Sequence, residues 1–390
     1  SVHKFSIPAS APIILNGTLI ASMFAFSSIT PNYAYALSWG VFVAGILQFA
    51  WVFYFTIKSG FLLYPKMPKF DADMKKFFKR LAPGIIGANL LQINLLISSI
   101  FASLIAGGVS YLYYADRITQ LPLALIGIAI GVALLPNLTK KIKLGQNDEA
   151  IRLQNQSLEV ALLLVIPATI ALAIIANPII ATLFERGKFD VTETYNVGRA
   201  LAFYALGLPA YVLVKILEPA FFARSDTKTP MHVSFVCMTV NVALNFLFFS
   251  LDFGYLGIIF ASTIASFLDL ILLTVILVKR GHFKFEKTFT KKLSLILVSA
   301  FFMAITLYLL KIIFDNSDYF NRIIELLITI SAGMLIYIVS SYFLGSLDAL
   351  VKNPVLLKKF SERKIVGVDM NKSDKREVPE RGGLIVIIGF

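Results

Sequence analysis

The residues best equipped for chemistry stand in one short run, Ser110-Tyr-Leu-Tyr-Tyr-Ala-Asp116-Arg117-Ile-Thr-Gln120-Leu-Pro122. The run leads into a long apolar stretch, where a charged side chain is costly and counts as a functional hypothesis. Arg117 offers a planar fork of donors that matches phosphate oxygens. Ser110, Asp116 and Gln120 are placed to orient it or to add hydrogen bonds. A plainer reading makes Asp116 and Arg117 an interfacial ion pair inside an aromatic belt of Tyr111, Tyr113 and Tyr114. Both readings stand at this point.

Other polar groups lie within apolar stretches. Lys215 and Glu218 are one helical turn apart, which suits a local ion pair with a snorkelling lysine. Asn241 and Asn245, at i and i+4, share a face and suit interhelical hydrogen bonds or a polar path. Ser98, Ser262 and Thr263 are weaker candidates of the same kind, and Arg199 reads as a surface residue. Arg224 and Lys215 join the two asparagines as secondary binding candidates. Asp269 lies deep in an apolar run and should have a partner that the sequence does not identify.

Catalytic patterns are missing from the sequence. It contains no Gly-x-Ser-x-Gly, no His-Glu-x-x-His and no Walker motif, so the chain does not read as an enzyme. Transport without an ATP site is passive, ion-coupled or driven by a partner. Cys237 stands alone, which excludes an internal disulfide or a Cys-based zinc site, and His3, His232 and His282 are widely scattered. Asp71-Ala72-Asp73 spells a DxD, a metal–sugar motif of some glycosyltransferases. Pairing of Asp71 and Asp73 with Lys75 and Lys76 on one helix explains it equally well. No metal site or cofactor is implied, and a coupling ion is left open.

The elements that must position these residues follow from composition. The chain has 390 residues, 57% hydrophobic and 15% charged. A soluble domain is about 45–50% apolar and about 25% charged, so this excess needs a bilayer. Ten stretches are long enough to span, approximately 9–28, 34–57, 83–106, 118–138, 158–181, 197–219, 231–251, 255–278, 293–314 and 322–345. They run continuously rather than alternating, which excludes a β-barrel and gives an all-α integral membrane protein.

Orientation follows from the basic residues. Loop 58–82 carries seven Lys or Arg, loop 139–157 four, loop 279–292 six and the tail after 345 nine, while 29–33 and 252–254 carry none. Assigned to the nearer side, 30 of the 36 basic residues fall on one face. Both ends of the chain are therefore expected to be cytoplasmic. The net charge of +13 is then a topology signal with affinity for anionic lipids, and not a nucleic-acid footprint. Phe70, Met74, Phe77, Phe78 and Leu81 form one apolar face beside Lys75, Lys76, Lys79 and Arg80, so 70–81 is predicted to be an interfacial helix within the 58–82 linker. Beyond 345 the chain turns polar and basic before a short apolar end.

Three motifs together resemble the MurJ/MviN family of lipid II flippases, within the multidrug/oligosaccharidyl-lipid/polysaccharide exporter superfamily. They are Tyr113-Tyr-Ala-Asp-Arg-Ile-Thr-Gln-Leu-Pro122 with Gly127-Ile-Ala-Ile-Gly131 and Leu134-Leu-Pro136, then Leu183-Phe-Glu-Arg-Gly-Lys-Phe189, then Lys215-Ile-Leu-Glu-Pro219 through Arg224-Ser-Asp226-Thr-Lys-Thr-Pro230. The likeness covers residues 3 to 345. It implies fourteen helices in the family, two six-helix lobes around a cationic cavity and a C-terminal pair forming a lipid-tail groove. The ten spans resemble the family's fifth to fourteenth, and the chain starts at Ser1 rather than Met, so it is expected to be N-terminally truncated.

The implied divisions are 1–57 as the last two N-lobe helices, 58–82 as cytoplasmic linker, 83–278 as the six-helix C-lobe, 279–345 as the groove pair and 346–390 as a cytoplasmic tail. The resemblance puts Arg117 at the C-lobe cavity arginine, with Ser110 and Asp116 at the matching neighbours. Gln120 stands where some members carry Glu. Ser98 and Asn245 occupy positions where sodium-binding relatives carry carboxylates. The implied partners are undecaprenyl-linked lipid II and membrane lipids, handled by a monomer in the bacterial inner membrane. A cation-coupled drug or polysaccharide exporter and an inactive remnant are the alternatives.

Overall fold

The computed structural model describes residues 10–26, 29–58, 74, 93–286, 288–314 and 319–346, together with two three-residue strands at 366–368 and 377–379. The interfacial helix expected at 70–81, its Asp71 and Asp73, and the apolar chain end lie outside the described residues, Met74 excepted. Eleven helices follow in order: α1 Ala11–Phe26, α2 Tyr33–Lys58, α3 Ile93–Ser103, α4 Gly108–Lys143, α5 Asn147–Ile174, α6 Ala176–Phe184, α7 Val191–Phe222, α8 Lys228–Ser250, α9 Gly254–Lys279, α10 Phe289–Ile313 and α11 Tyr319–Leu344. The all-helical expectation holds, with one exception in the tail. There, Val366–Val368 and Glu377–Pro379 pair antiparallel, Gly367 opposite Val378.

Eight of these helices are long and apolar enough to cross a bilayer. Among the described residues, eight of the ten expected spans are therefore met. The first is described over 16 residues, Ala11–Phe26, and the third over Ile93–Ser103, with 83–92 outside the described residues. Each falls short of the ~20 residues that a ~30 Å core requires.

The chain divides into two compact units, Ser1–Lys75 with Val355–Phe390, and Lys76–Pro354. In the first unit, α1 and α2 form an antiparallel hairpin. Asn32 starts α2 by accepting from the backbone of Ala34 and Tyr35, at 3.0 and 3.2 Å. Ala36, Gly40 and Ala44 put a stripe of small residues on the buried face of α2. A Cβ on Gly40 would overlap the Ser22 hydroxyl, so glycine sets how closely the two helices approach.

In the second unit, α7 is the hub, packed along α4, α5 and α9. Its start is fixed by Asp190, which accepts from the backbone of Thr192 and Glu193 at 2.8 and 3.1 Å. The stretch expected to span 158–181 is two helices. Pro178 supplies no N–H for the carbonyl of Ile174, and the chain breaks at Ile175, φ −102° and ψ 24°. Helix α4 begins at Gly108, ten residues before the expected 118, after Gly107 takes a left-handed φ of 73°. Hydropathy places Ser110 through Arg117 outside the span, yet nothing in their backbone preferences opposes a helix. Pro122 likewise removes a donor in mid-helix, and Leu123–Ile128 adopts a π-helical turn.

Candidate functional site

The first motif lies along the N-terminal half of α4. Ser110, Tyr113, Arg117 and Gln120 are spaced by three, four and three residues, which puts them on one face, and all four are exposed. Arg117 Nη2 donates to Tyr113 Oη at 3.1 Å, and Nη1 reaches Gln120 Oε1 at 3.5 Å. The guanidinium carbon lies 4.7 Å from the centroid of the Tyr113 ring. Gln120 in turn donates through Nε2 to Asp116 Oδ2. Ser110 shares the face two turns from Arg117, without a hydrogen bond to this group among the described residues.

The Asp116–Arg117 ion pair of the plainer reading does not form. Neighbours on a helix diverge by about 100°, and no ion pair among the described residues includes Arg117. The three tyrosines have different neighbours. Tyr113 holds Arg117, Tyr111 meets Tyr255 of α9 edge-on with centroids 5.1 Å apart, and Tyr114 packs on Phe184 at 4.9 Å and Phe189 at 5.4 Å. Tyr114 thereby joins the first motif to the second.

The C-terminal half of α4 is set by its glycines. A Cβ on Gly127 would lie 3.2 Å from Val212 Cα, and one on Gly131 2.4 Å from the Lys215 carbonyl oxygen. The Gly-x-x-x-Gly spacing is therefore a backbone-to-backbone crossing with α7. This crossing fixes the depth of Lys215. It sits opposite Gly131, fourteen residues from Arg117, or about 21 Å along the helix axis. Arg117 and Lys215 do not form one cluster.

Lys215 Nζ bonds both Glu218 oxygens, at 3.2 and 3.1 Å, as the spacing predicts. Asp269 faces this pair across the α7–α9 contact: the charges that act on it are Glu218 and Lys215, and its Oδ1 is buried without a hydrogen bond. Glu218 repels Asp269 and Lys215 attracts it, and neither forms an ion pair or hydrogen bond with it among the described residues, so the expected partner is not found there. Asn241 and Asn245 are fully buried. Asn245 Nδ2 donates to Asn241 Oδ1 at 2.9 Å, and Asn241 Nδ2 to Ser262 Oγ at 3.3 Å, which ties α8 to α9. Ser98 lies half-buried on α3, whose Phe101 meets Phe246 of α8 at 4.8 Å.

Arg224 lies beyond the end of α7, where its Nη1 donates to the Ala220 carbonyl at 2.7 Å and closes the helix. Nearby, Asp226 accepts from Thr229 N at 3.0 Å, from Thr229 Oγ1 at 2.6 Å and from Arg280 Nη1 at 2.6 Å. Burial pushes the Asp226 carboxyl up, but these bonds outweigh it and hold it at about 2. Burial and the charges of Arg224 and Arg280 hold the neighbouring His282 below its usual range. The second motif is anchored as well, by an ion pair of 2.7 Å from Glu185 to Arg322 of α11.

Comparison with known proteins follows the same lines. The sequence model of the family described as lipid II flippase MurJ matches residues 1–340. A probable lipid II flippase MurJ of Rhizobium tropici is 36% identical over 356 residues, 89% of this chain and 67% of the relative. That of Rhizobium meliloti (strain 1021) is 40% identical over 311 residues, 79% of this chain and 58% of the relative. A solved lipid II flippase MurJ in an inward closed conformation is 26% identical with a TM-score of 0.72, over 88% of this chain and 68% of that one. The chain thus spans roughly two thirds of the length of the proteins it resembles.

Proposed function

Because this chain belongs to the MurJ family of lipid II flippases, we propose that it carries lipid II from the inner to the outer leaflet of the bacterial cytoplasmic membrane by alternating access. The observation that carries this reading is Arg117, a cation held on an exposed helix face with no ion pair among the described residues. Lipid II has a diphosphate, a disaccharide-peptide head and a polyprenyl tail. The diphosphate takes the arginine fork, while the tail needs only a route that stays in lipid. Asp116, Gln120 and Ser110 belong to the same head-group site.

Flipping makes and breaks no covalent bond, so the protein acts as a transporter, a monomer in this proposal. Residues 83–278 serve as the C-lobe, 279–345 as the pair along which the tail slides, and 1–57 as the last two helices of the N-lobe, with 58–82 as the linker. Lobes rocking about a site near mid-membrane would expose Arg117 to each side in turn. Lys215, Glu218 and Asp269 lie nearer the end with the basic loops, which the charge bias places in the cytoplasm along with both chain ends. Asn241 and Asn245 tie α8 to α9 within the moving lobe.

The test is lipid II exposure on the outer leaflet of cells depleted of their own flippase. The chain would be supplied alone and joined to a family N-terminal segment. Restored exposure in either form supports the proposal. Persistent inner-leaflet accumulation in both, with the protein folded in the membrane, rejects it.

A further inference from the structure

A guanidinium carries five N–H donors. In Arg117 two of them are spent on neutral atoms of its own helix, Tyr113 Oη at 3.1 Å and Gln120 Oε1 at 3.5 Å. The Tyr113 ring lies against the guanidinium at 4.7 Å, which adds a cation–π contact. Gln120 is itself turned by Asp116: with its Nε2 directed at Asp116 Oδ2, its carbonyl oxygen is left toward Arg117. The plane is therefore held from two edges and one face. Its charge is nonetheless kept, because neither a phenol nor an amide neutralises it.

Arginine side chains carry about 2 kcal/mol of rotamer entropy, part of which is lost whenever the fork closes on a ligand. An arginine already held in place loses less on binding. We propose that Tyr113 is the positioning residue of Arg117, fixing the guanidinium so that its free donors meet a diphosphate without first being ordered. The proposal rests on the reading of Arg117 as the diphosphate ligand. Tyr113 is 54% exposed, so its side chain contributes little to the buried core and can be exchanged without opening a cavity.

The test is a double-mutant cycle on the full chain in lipid nanodiscs. The probe is farnesyl diphosphate, with farnesol as the control for tail binding alone. Arg117→Lys removes the fork and keeps the charge, while Tyr113→Leu removes the ring and the hydroxyl. Each single variant should weaken farnesyl diphosphate binding about tenfold, and the double variant no more than either, because an unpositioned arginine acts as a point charge just as lysine does. Tyr113→Phe, which keeps the ring face, should lose about threefold, as expected for one hydrogen bond. Farnesol binding should not change in any of them.

Additive losses, about a hundredfold in the double variant, would mean that Tyr113 acts independently of Arg117 and would overturn the positioning role. If Tyr113→Leu fails to fold, the cycle runs with Tyr113→Phe, and additivity there overturns the positioning role in the same way. Arg117→Ala separates diphosphate binding from positioning. Undiminished binding in that variant, or a wild-type protein that does not prefer farnesyl diphosphate to farnesol, removes the diphosphate reading along with the positioning role. Loss in Arg117→Ala together with additivity in the cycle removes the positioning role alone.

Discussion

Arg117 and Arg280 belong to the same unit and are held in opposite ways. Arg280 reaches across more than fifty residues of sequence to Asp226 at 2.6 Å and Thr229 at 3.0 Å, and its charge is cancelled where it stands. Arg117 is held by side chains three and four residues away on its own helix, and its charge is left over. The first arrangement ties α8 to the end of α9 and therefore builds structure. The second ties nothing together and presents a cation, which is what recognition of an anionic head group needs. Cancelled and uncancelled charge is thus a working criterion for sorting the polar groups of this protein. By that criterion Lys215, Lys292 and Arg322, paired with Glu218, Glu159 and Glu185, fall on the structural side.

The contrast can be broken most directly at Arg117. Arg117→Ala should abolish lipid II exposure on the outer leaflet while the amount of protein in the membrane stays normal. Flipping at the wild-type rate would show that an uncancelled charge is not a guide to function here. Next in size is Gly131→Leu, which drives a side chain into the Lys215 carbonyl. Overpacking of this kind costs about 1–3 kcal/mol. It should lower both thermal stability and transport, because it displaces the helix that carries Arg117. A variant with unchanged melting temperature would contradict the close crossing.

Arg280→Ala should behave differently from either, losing about 1 kcal/mol of stability, as partly exposed pairs do, while each folded molecule still transports. Loss of transport at full stability would move Arg280 to the functional side. The smallest effect concerns pH. The Asp226 carboxyl is held at about 2 against an ordinary 3.8. A group with a lowered folded-state pKa stabilises above its unfolded value and loses that contribution as the pH falls through the folded one. Melting temperature followed from pH 6 to pH 2 should therefore drop more steeply below about 4 in the wild type than in Asp226→Asn. Parallel curves would mean that the Asp226–Arg280 contact adds nothing.

Much of the fold was legible because hydropathy acts locally: continuous apolar runs announce membrane helices whatever their packing. Pairs within one helix were legible for the same reason, as Lys215 with Glu218 and Asn241 with Asn245 demonstrate. Contacts that depend on tertiary packing were not. Nothing in the sequence linked Glu185 to Arg322, which stand 137 residues apart. Tyr113 had a visible signal in its i, i+4 spacing to Arg117, but the aromatic belt accounted for it equally well. Helix limits failed where hydropathy and backbone chemistry disagree. Ser110 through Arg117 are polar yet helical, and the run 158–181 is apolar yet broken ahead of Pro178.

The π-helical turn at Leu123–Ile128 has a consequence for where the arginine looks. In an uninterrupted α-helix, fourteen residues at about 100° each would return Arg117 to within about 40° of Gly131. The arginine would then be aimed at α7, against which this half of α4 also packs. A π turn accommodates one extra residue within the helix and delays the winding by roughly 100°. The two halves of α4 thus present different faces to α7: the C-terminal half meets it with glycines, and the N-terminal half turns its cation away. Forcing 123–128 into plain α-helical winding at unchanged chain length would screw Arg117 round toward α7, whereas deleting one residue there would leave its direction as it is. The extra residue of one turn is thus what lets a helix be packed tightly at one end and keep a cation free at the other.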